Sequence, residues 1–208
     1  GGVELVEIRL ASARPDAQRS LYGGVLGLEA SEGSGALAVQ IGATRVVFAD
    51  GPSSPQHFAA RIPSAAYADA LAWLGARVEL LADDDGGRAF AFPDWNADAA
   101  YFRDPDGNVV ELIAHHDLPE PYRPPFGSGT MLGVCEVGVP VDDVGVYLGS
   151  LERQKGVRRW SGDTASFAAA GDKRGSLIVV RRGRTWYPTQ DAEATAGPLG
   201  ISSSAGVI

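Results

Sequence analysis

The sequence predicts an α+β protein assembled from repeated strand, helix and three-strand (βαβββ) units. Three observations carry this: an order of elements that recurs along the chain, short runs of period-two apolar alternation bounded by turn residues, and a helix-period stretch after each leading strand. With 208 residues, of which 45% are hydrophobic, the chain is long enough for one large domain or two small ones with a filled core.

The first unit opens in "VEIRLASARPDAQRSLYGGVLGLE" as an alternating strand, turns at Pro15, and continues as a helix closed by glycine. Strands "GALAVQI" and "TRVVFAD", joined by Gly42 and Ala43, complete it. The same order returns in "HFAARIPSAAYADALAWLGARVELL", a strand, a break at Pro63 and a helix with Ala66, Ala70, Leu71 and Leu74 on one side. Glu7 to Leu21 and His57 to Leu71 have equal separations. The strands of the second unit are "RAFAFPD", "AAYFR" and "NVVELIA". The proline- and glycine-rich segment "PEPYRPPFGSG" then marks a boundary, giving two paired units over 1–118, a linker over 119–131 and a third unit over 132–208. That third unit starts in "EVGVPVDDVGVYLGSLER" and continues with "TASFAAA" and "SLIVVRR" around the turn "GDKRG". Beyond Pro188 the pattern weakens, and "GPLGISSSAGVI" reads as a single last strand or a frayed end.

Charge and composition exclude several classes of partner. A net charge of -8 opposes binding to a phosphate backbone, and the one basic cluster, Arg181 to Arg184, lies in a turn-like, solvated segment; nucleic acid is not an expected partner. No apolar run approaches the ~18 to 20 residues that cross a bilayer, and the N-terminus lacks a basic segment followed by an apolar one, so the expectation is a cytoplasmic protein without membrane contact. The single cysteine, Cys135, permits no intrachain disulfide and no cysteine-based metal cage, and its neighbours Val134 and Val137 suggest a buried structural thiol.

Strand parity sorts the chemistry. Val6, Ile8 and Leu10 oppose Leu5, Glu7 and Arg9; Phe58, Ala60 and Ile62 oppose His57, Ala59 and Arg61; Val137, Val139 and Val141 oppose Glu136 and Gly138. Once the apolar faces are turned under their helices, the opposite faces carry Glu7, His57 and Glu136 at corresponding positions. After the tight turn Asp104-Pro105-Asp106-Gly107-Asn108, Val109, Glu111, Ile113 and His115 share one face of the next strand. An acid interrupting an otherwise apolar face suits a sheet wrapped round a cavity.

These units, with "LYGGVLGLE" in the first and "YFRDPDGNVVELI" near the end of the second, resemble the vicinal oxygen chelate superfamily, which includes glyoxalase I, extradiol ring-cleaving dioxygenases and bleomycin-resistance proteins. The resemblance implies a glyoxalase-like fold in which two units pair to close a mixed sheet into a cup, with metal ligands on the first and last strands of each unit. Carried over residue by residue, those positions fall on Glu7, His57 and Glu111, and the fourth falls on Val47, which cannot bind a metal. Two carboxylates and one imidazole imply a divalent metal, Fe(II) or Mn(II) ahead of Zn(II) or Ni(II).

His115, two residues beyond Glu111 on the same face, is a candidate proton shuttle, and Arg9, Arg45, Arg61, Trp95 and Tyr101 are candidate substrate-binding residues at the cup and its mouth. The third unit, with too little chain after it for a second complete cup, is expected to cover the first cup or to pair with another copy in a homodimer. The function implied is that of a metal-dependent enzyme acting on a small oxygenated molecule, by ring cleavage first and by glyoxalase-like isomerisation or lyase chemistry second. The alternative is a metal-free cup of bleomycin-resistance type that sequesters an antibiotic or metabolite.

Overall fold

Alternation and turn chemistry fold each repeat locally; the free strand edges then decide how the repeats assemble. In the computed structural model, which describes residues 2–208, the first repeat forms β1 (Leu5–Ser12), α1 (Pro15–Arg19), β2 (Glu29–Gly33), β3 (Ala36–Ile41) and β4 (Thr44–Asp50). Pro15 stands at the first position of α1, where its missing N–H costs nothing, and a π-helical turn continues the helix to Val25. The second repeat forms β5 (His57–Ile62), α2 (Tyr67–Gly75), β6 (Phe90–Phe92), β7 (Ala97–Arg103) and β8 (Val109–His115). The third forms β9 (Gly133–Val141), α3 (Val144–Lys155), β10 (Arg159–Gly162), β11 (Phe167–Asp172) and β12 (Gly175–Arg181). Asp143 caps α3 by accepting from the Val146 N–H at 2.9 Å. The weakly patterned tail ends in a hairpin, β13 (Gly200–Ser203) and β14 (Gly206–Val207).

These strands make two mixed sheets, a six-stranded one in the order β14-β13-β1-β4-β3-β2 and an eight-stranded one in the order β10-β11-β12-β9-β5-β8-β7-β6. The cup is therefore built by the second and third repeats, which meet where β5 runs antiparallel to β9. This corrects the expected pairing of the first two repeats. The reason is an edge already taken: β13 pairs with β1 and leaves β5 free to accept β9. The segment between the second and third repeats thus connects two halves of one sheet, and the third repeat forms a wall of the cup instead of covering it.

The two faces of the large sheet carry separate apolar sets. Phe58, Leu112, Val137 and Leu177 pack with Leu74 of α2 and with Ile8, Leu10 and Phe48 of the smaller sheet, whereas Ala59, Val109, Ile113, Ala169 and Ile178 line the concave side. Alternation places these residues correctly along β5 and β8. It fails at two β-bulges. In β1 an irregularity between Leu5 and Glu7 buries Leu5 and turns Val6 out to 52% exposure; in β9 a bulge opposite Ala59 and Ala60 sets Cys135 on the concave side together with Glu136. No helix among the described residues is long and apolar enough to cross a membrane.

Candidate metal centre

Register brings the cup's polar residues together. Ala59 lies opposite Glu111 on one side, through the parallel β5–β8 pair, and opposite Glu136 on the other, through the antiparallel β5–β9 pair. His57 is two residues before Ala59 and points the same way. One ligand atom from each of His57, Glu111 and Glu136 lies within 4.8 Å of the other two, and all three residues are buried. The fourth corner of the cup is apolar. Glu111 lies two residues beyond the register partner of His57, and the corresponding residue of the third repeat, two beyond Ser176 opposite Glu136, is Ile178.

The "DPDGN" turn fixes this corner. Gly107 takes a φ of 78°, open to glycine, and the buried Asp104 carboxylate accepts from Gln18 Nε2, Tyr22 OH and Asn108 Nδ2 at 2.8 to 2.9 Å. Asp106 accepts from Ser12, Ala13 N and Ser53, so the turn is bolted to the first repeat. Asn108 Oδ1 in turn accepts from the Gln56 N–H at 2.9 Å, which holds the residue preceding His57 against the start of β8.

His57 Nδ1 lies 3.0 Å from the Val109 carbonyl oxygen, which can only accept, so Nδ1 carries a proton and Nε2 faces the acids. Nε2 is 3.5 Å from Glu111 Oε2 and 3.4 Å from Glu136 Oε2. Ligands at right angles around an ion with bonds of ~2.1 Å lie ~3 Å apart, so Nε2 stands close to ligand spacing from each of the two acids. Burial, and then the charge of Glu136, push the Glu111 carboxyl well above the usual carboxylate range. Burial and the charges of Glu111 and Glu136 likewise raise the phenol of Tyr101, which stands opposite Glu111 in the β7–β8 register and stays a protonated donor beside it. The set suits a cation: two buried acids repel, and a lone pair on nitrogen faces both.

Above it opens a cavity of about 270 Å³ whose walls include Phe92, Trp95, Tyr101, Phe167, Trp186 and Tyr187. Trp186, 3% exposed in the segment after β12, donates from Nε1 to the Pro55 carbonyl at 2.8 Å and holds its ring 5.8 Å from that of His57. Gly138 permits this approach, since a Cβ there would meet the Trp186 ring at 2.4 Å.

The structure brings together only part of the set expected from sequence. His57 and Glu111 converge, and Trp95 and Tyr101 line the cavity. Glu7 does not join them: it lies in the smaller sheet, partly exposed and 3.6 Å from Arg9, because β1 is paired with β13 and not with β5. Arg9 and Arg45 are exposed in that same sheet. Arg61 is on the cup side of β5 but is held by Glu120 at 3.2 Å and does not line the cavity. His115 is 1% exposed and sits behind Glu136, away from the cavity wall, with its pKa lowered chiefly by burial. Glu136, which is outside the expected set, takes the third place; in the sequence it holds the position corresponding to Glu7 and His57. Trp186 and Tyr187 lie in a stretch without alternation, and nothing in the sequence marked them.

No family model matches the sequence, and no curated protein does. Solved structures do resemble the fold. A candidate dioxygenase from Bacillus subtilis is 14% identical, with 99% of this chain and 68% of that one aligned at a TM-score of 0.60. A glyoxalase I variant from Zea mays is 16% identical, with 97% of this chain and 74% of that one aligned at 0.56. The likeness extends over almost the whole chain and shows a shared glyoxalase-like fold.

Proposed function

We infer, for a chain with the fold of the vicinal oxygen chelate superfamily, that it is a metal-dependent enzyme acting on a small oxygenated molecule. The observation carrying this reading is the convergence of His57 Nε2 with two buried carboxylates at the floor of an aromatic cavity. His57, Glu111 and Glu136 would hold a divalent cation, with Fe(II) or Mn(II) favoured by two oxygen ligands to one nitrogen and with Zn(II) or Ni(II) next. Bound there, the ion supplies a Lewis acid for two neighbouring substrate oxygens and the negative charge that grows on them. The protein's own part is to bind and orient. Trp95, Phe92 and Phe167 offer flat apolar faces to a ring, Trp186 and Tyr187 add to the apolar wall, and Tyr101 directs a hydroxyl donor toward the acids.

Those flat walls put ring cleavage of a catechol-like compound first, with isomerase or lyase chemistry second. Oxygen uptake by Fe(II)-loaded protein given catechol tests it: uptake that disappears in His57→Ala supports ring cleavage, and none in protein shown to bind Fe(II) rejects it. One contact favours a second reading, a metal-free cup that sequesters an antibiotic or metabolite. His57 Nε2 lies 3.5 Å from Glu111 and 3.4 Å from Glu136, close enough to join the two acids in one polar network without an ion. Absence of bound metal after purification without chelator supports that reading.

A further inference from the structure

Directly behind Glu136 lies a second set of donors that the reading above does not use. His115, Cys135 and Glu136 each place one ligand atom within 4.8 Å of the other two, and all three residues are buried. Cys135 reaches this side of the sheet only through the bulge in β9, which makes two consecutive side chains face one way. A structural thiol needs no such device, since parity alone would have left it among the apolar residues under the helices.

His115 is the independent observation. It is 1% exposed, and among the described residues neither ring nitrogen has a hydrogen-bond partner. Trp95 stacks on it with ring centroids 6.4 Å apart, and the Trp95 carbonyl near the imidazole accepts from Lys173 Nζ at 2.9 Å. A buried imidazole left without partners costs free energy that an ion at its lone pair would recover. The histidine and the cysteine supply nitrogen and sulfur donors next to a carboxylate already shared with the first set.

We propose that His115, Cys135 and Glu136 form a second cation subsite, with Glu136 bridging it to the His57–Glu111 subsite. A thiolate and an imidazole select a borderline or soft divalent ion of the zinc or cobalt type, whereas the first subsite, richer in oxygen, takes a harder one. Binding releases the Cys135 thiol proton to solvent and forms the metal–sulfur bond with no change of oxidation state. The charges are compatible. Two carboxylates and one thiolate carry three negative charges against four positive charges on two divalent ions, and the two cations nearest His115, Lys173 and Arg61, are neutralised by Asp117 and Glu120, so filling both subsites relieves the repulsion between buried acids.

Titration of metal-stripped protein with Co(II), followed by its near-ultraviolet thiolate charge-transfer absorption and by equilibrium dialysis, tests this. The expected result is two equivalents bound, one of them with the sulfur band. Cys135→Ser and His115→Asn should each lose the equivalent that carries the band and keep the other, while His57→Ala should keep the band and lose the other equivalent. A parent protein that binds one equivalent without the band overturns the second subsite and leaves the His57–Glu111–Glu136 reading intact. One equivalent with the band, retained in His57→Ala, supports the second subsite and overturns the first. Because the band is read in the unsubstituted protein, a variant that fails to fold does not protect the proposal.

Discussion

Glu111 is a carboxylate kept 2% exposed beside another buried acid, and this is a cost to the fold unless something positive sits between them. Its pKa is raised, so the protonated form favours the folded state. That contribution is complete below the usual carboxylate range and is lost as pH rises through the raised value. Metal-stripped protein is therefore expected to melt at a lower temperature at neutral pH than in weak acid, and Glu111→Gln is expected to flatten this dependence and to hold or raise the neutral melting temperature. Thermal melts across pH check it; a clear fall in Glu111→Gln would assign Glu111 a structural hydrogen bond and remove it from the ligand set. The side chains of β5 and β8 were legible in the sequence because parity holds along both strands. Cys135 was not, because a bulge is a property of two paired strands and is invisible in one.

At the scale of elements, the turn Asp104–Asn108 was legible from its residues, but its anchor was not. The sequence shows a tight turn; the structure shows that turn clamped to α1 and to the Gln56 backbone, across more than fifty residues of chain. Asp104→Ala leaves Tyr22 OH, Gln18 Nε2 and Asn108 Nδ2 to find other acceptors in a buried place. This is expected to cost ~3 kcal/mol or more, a fall in melting temperature of about 10 °C for a chain of this size, with weaker metal binding because His57 and Glu111 lose their common support. Calorimetry with and without Mn(II) measures both. The segment carrying Trp186 depends on a different element contact. Gly138→Ala drives a methyl group into the Trp186 ring and is expected to cost about 1 to 3 kcal/mol, with red-shifted tryptophan emission as the buried ring is displaced. Unchanged emission and stability would show that Trp186 does not pack against Gly138.

For the molecule as a whole, the repeat was legible and the pairing of repeats was not. Each repeat begins with a similar strand, so period and parity alone leave β1, β5 and β9 as equivalent partners. What breaks the tie is β13, which comes from the least patterned part of the sequence and occupies the edge of β1. With that edge taken, β9 joins β5 and Glu136 replaces Glu7 beside His57 and Glu111. The side-chain types expected at the candidate centre, two acids and one histidine, are those the cup brings together; the identity of one acid differs. Mn(II) titration of the metal-stripped protein, read from the spin resonance of the free ion, tests this most directly, since a hard ion reports the oxygen-rich subsite and not the thiol. The parent and Glu7→Gln are expected to bind one equivalent with equal affinity, while Glu136→Gln and His57→Ala lose more than about tenfold. Undiminished binding in Glu136→Gln, or loss in Glu7→Gln, would contradict the pairing of the second and third repeats as the source of the metal centre.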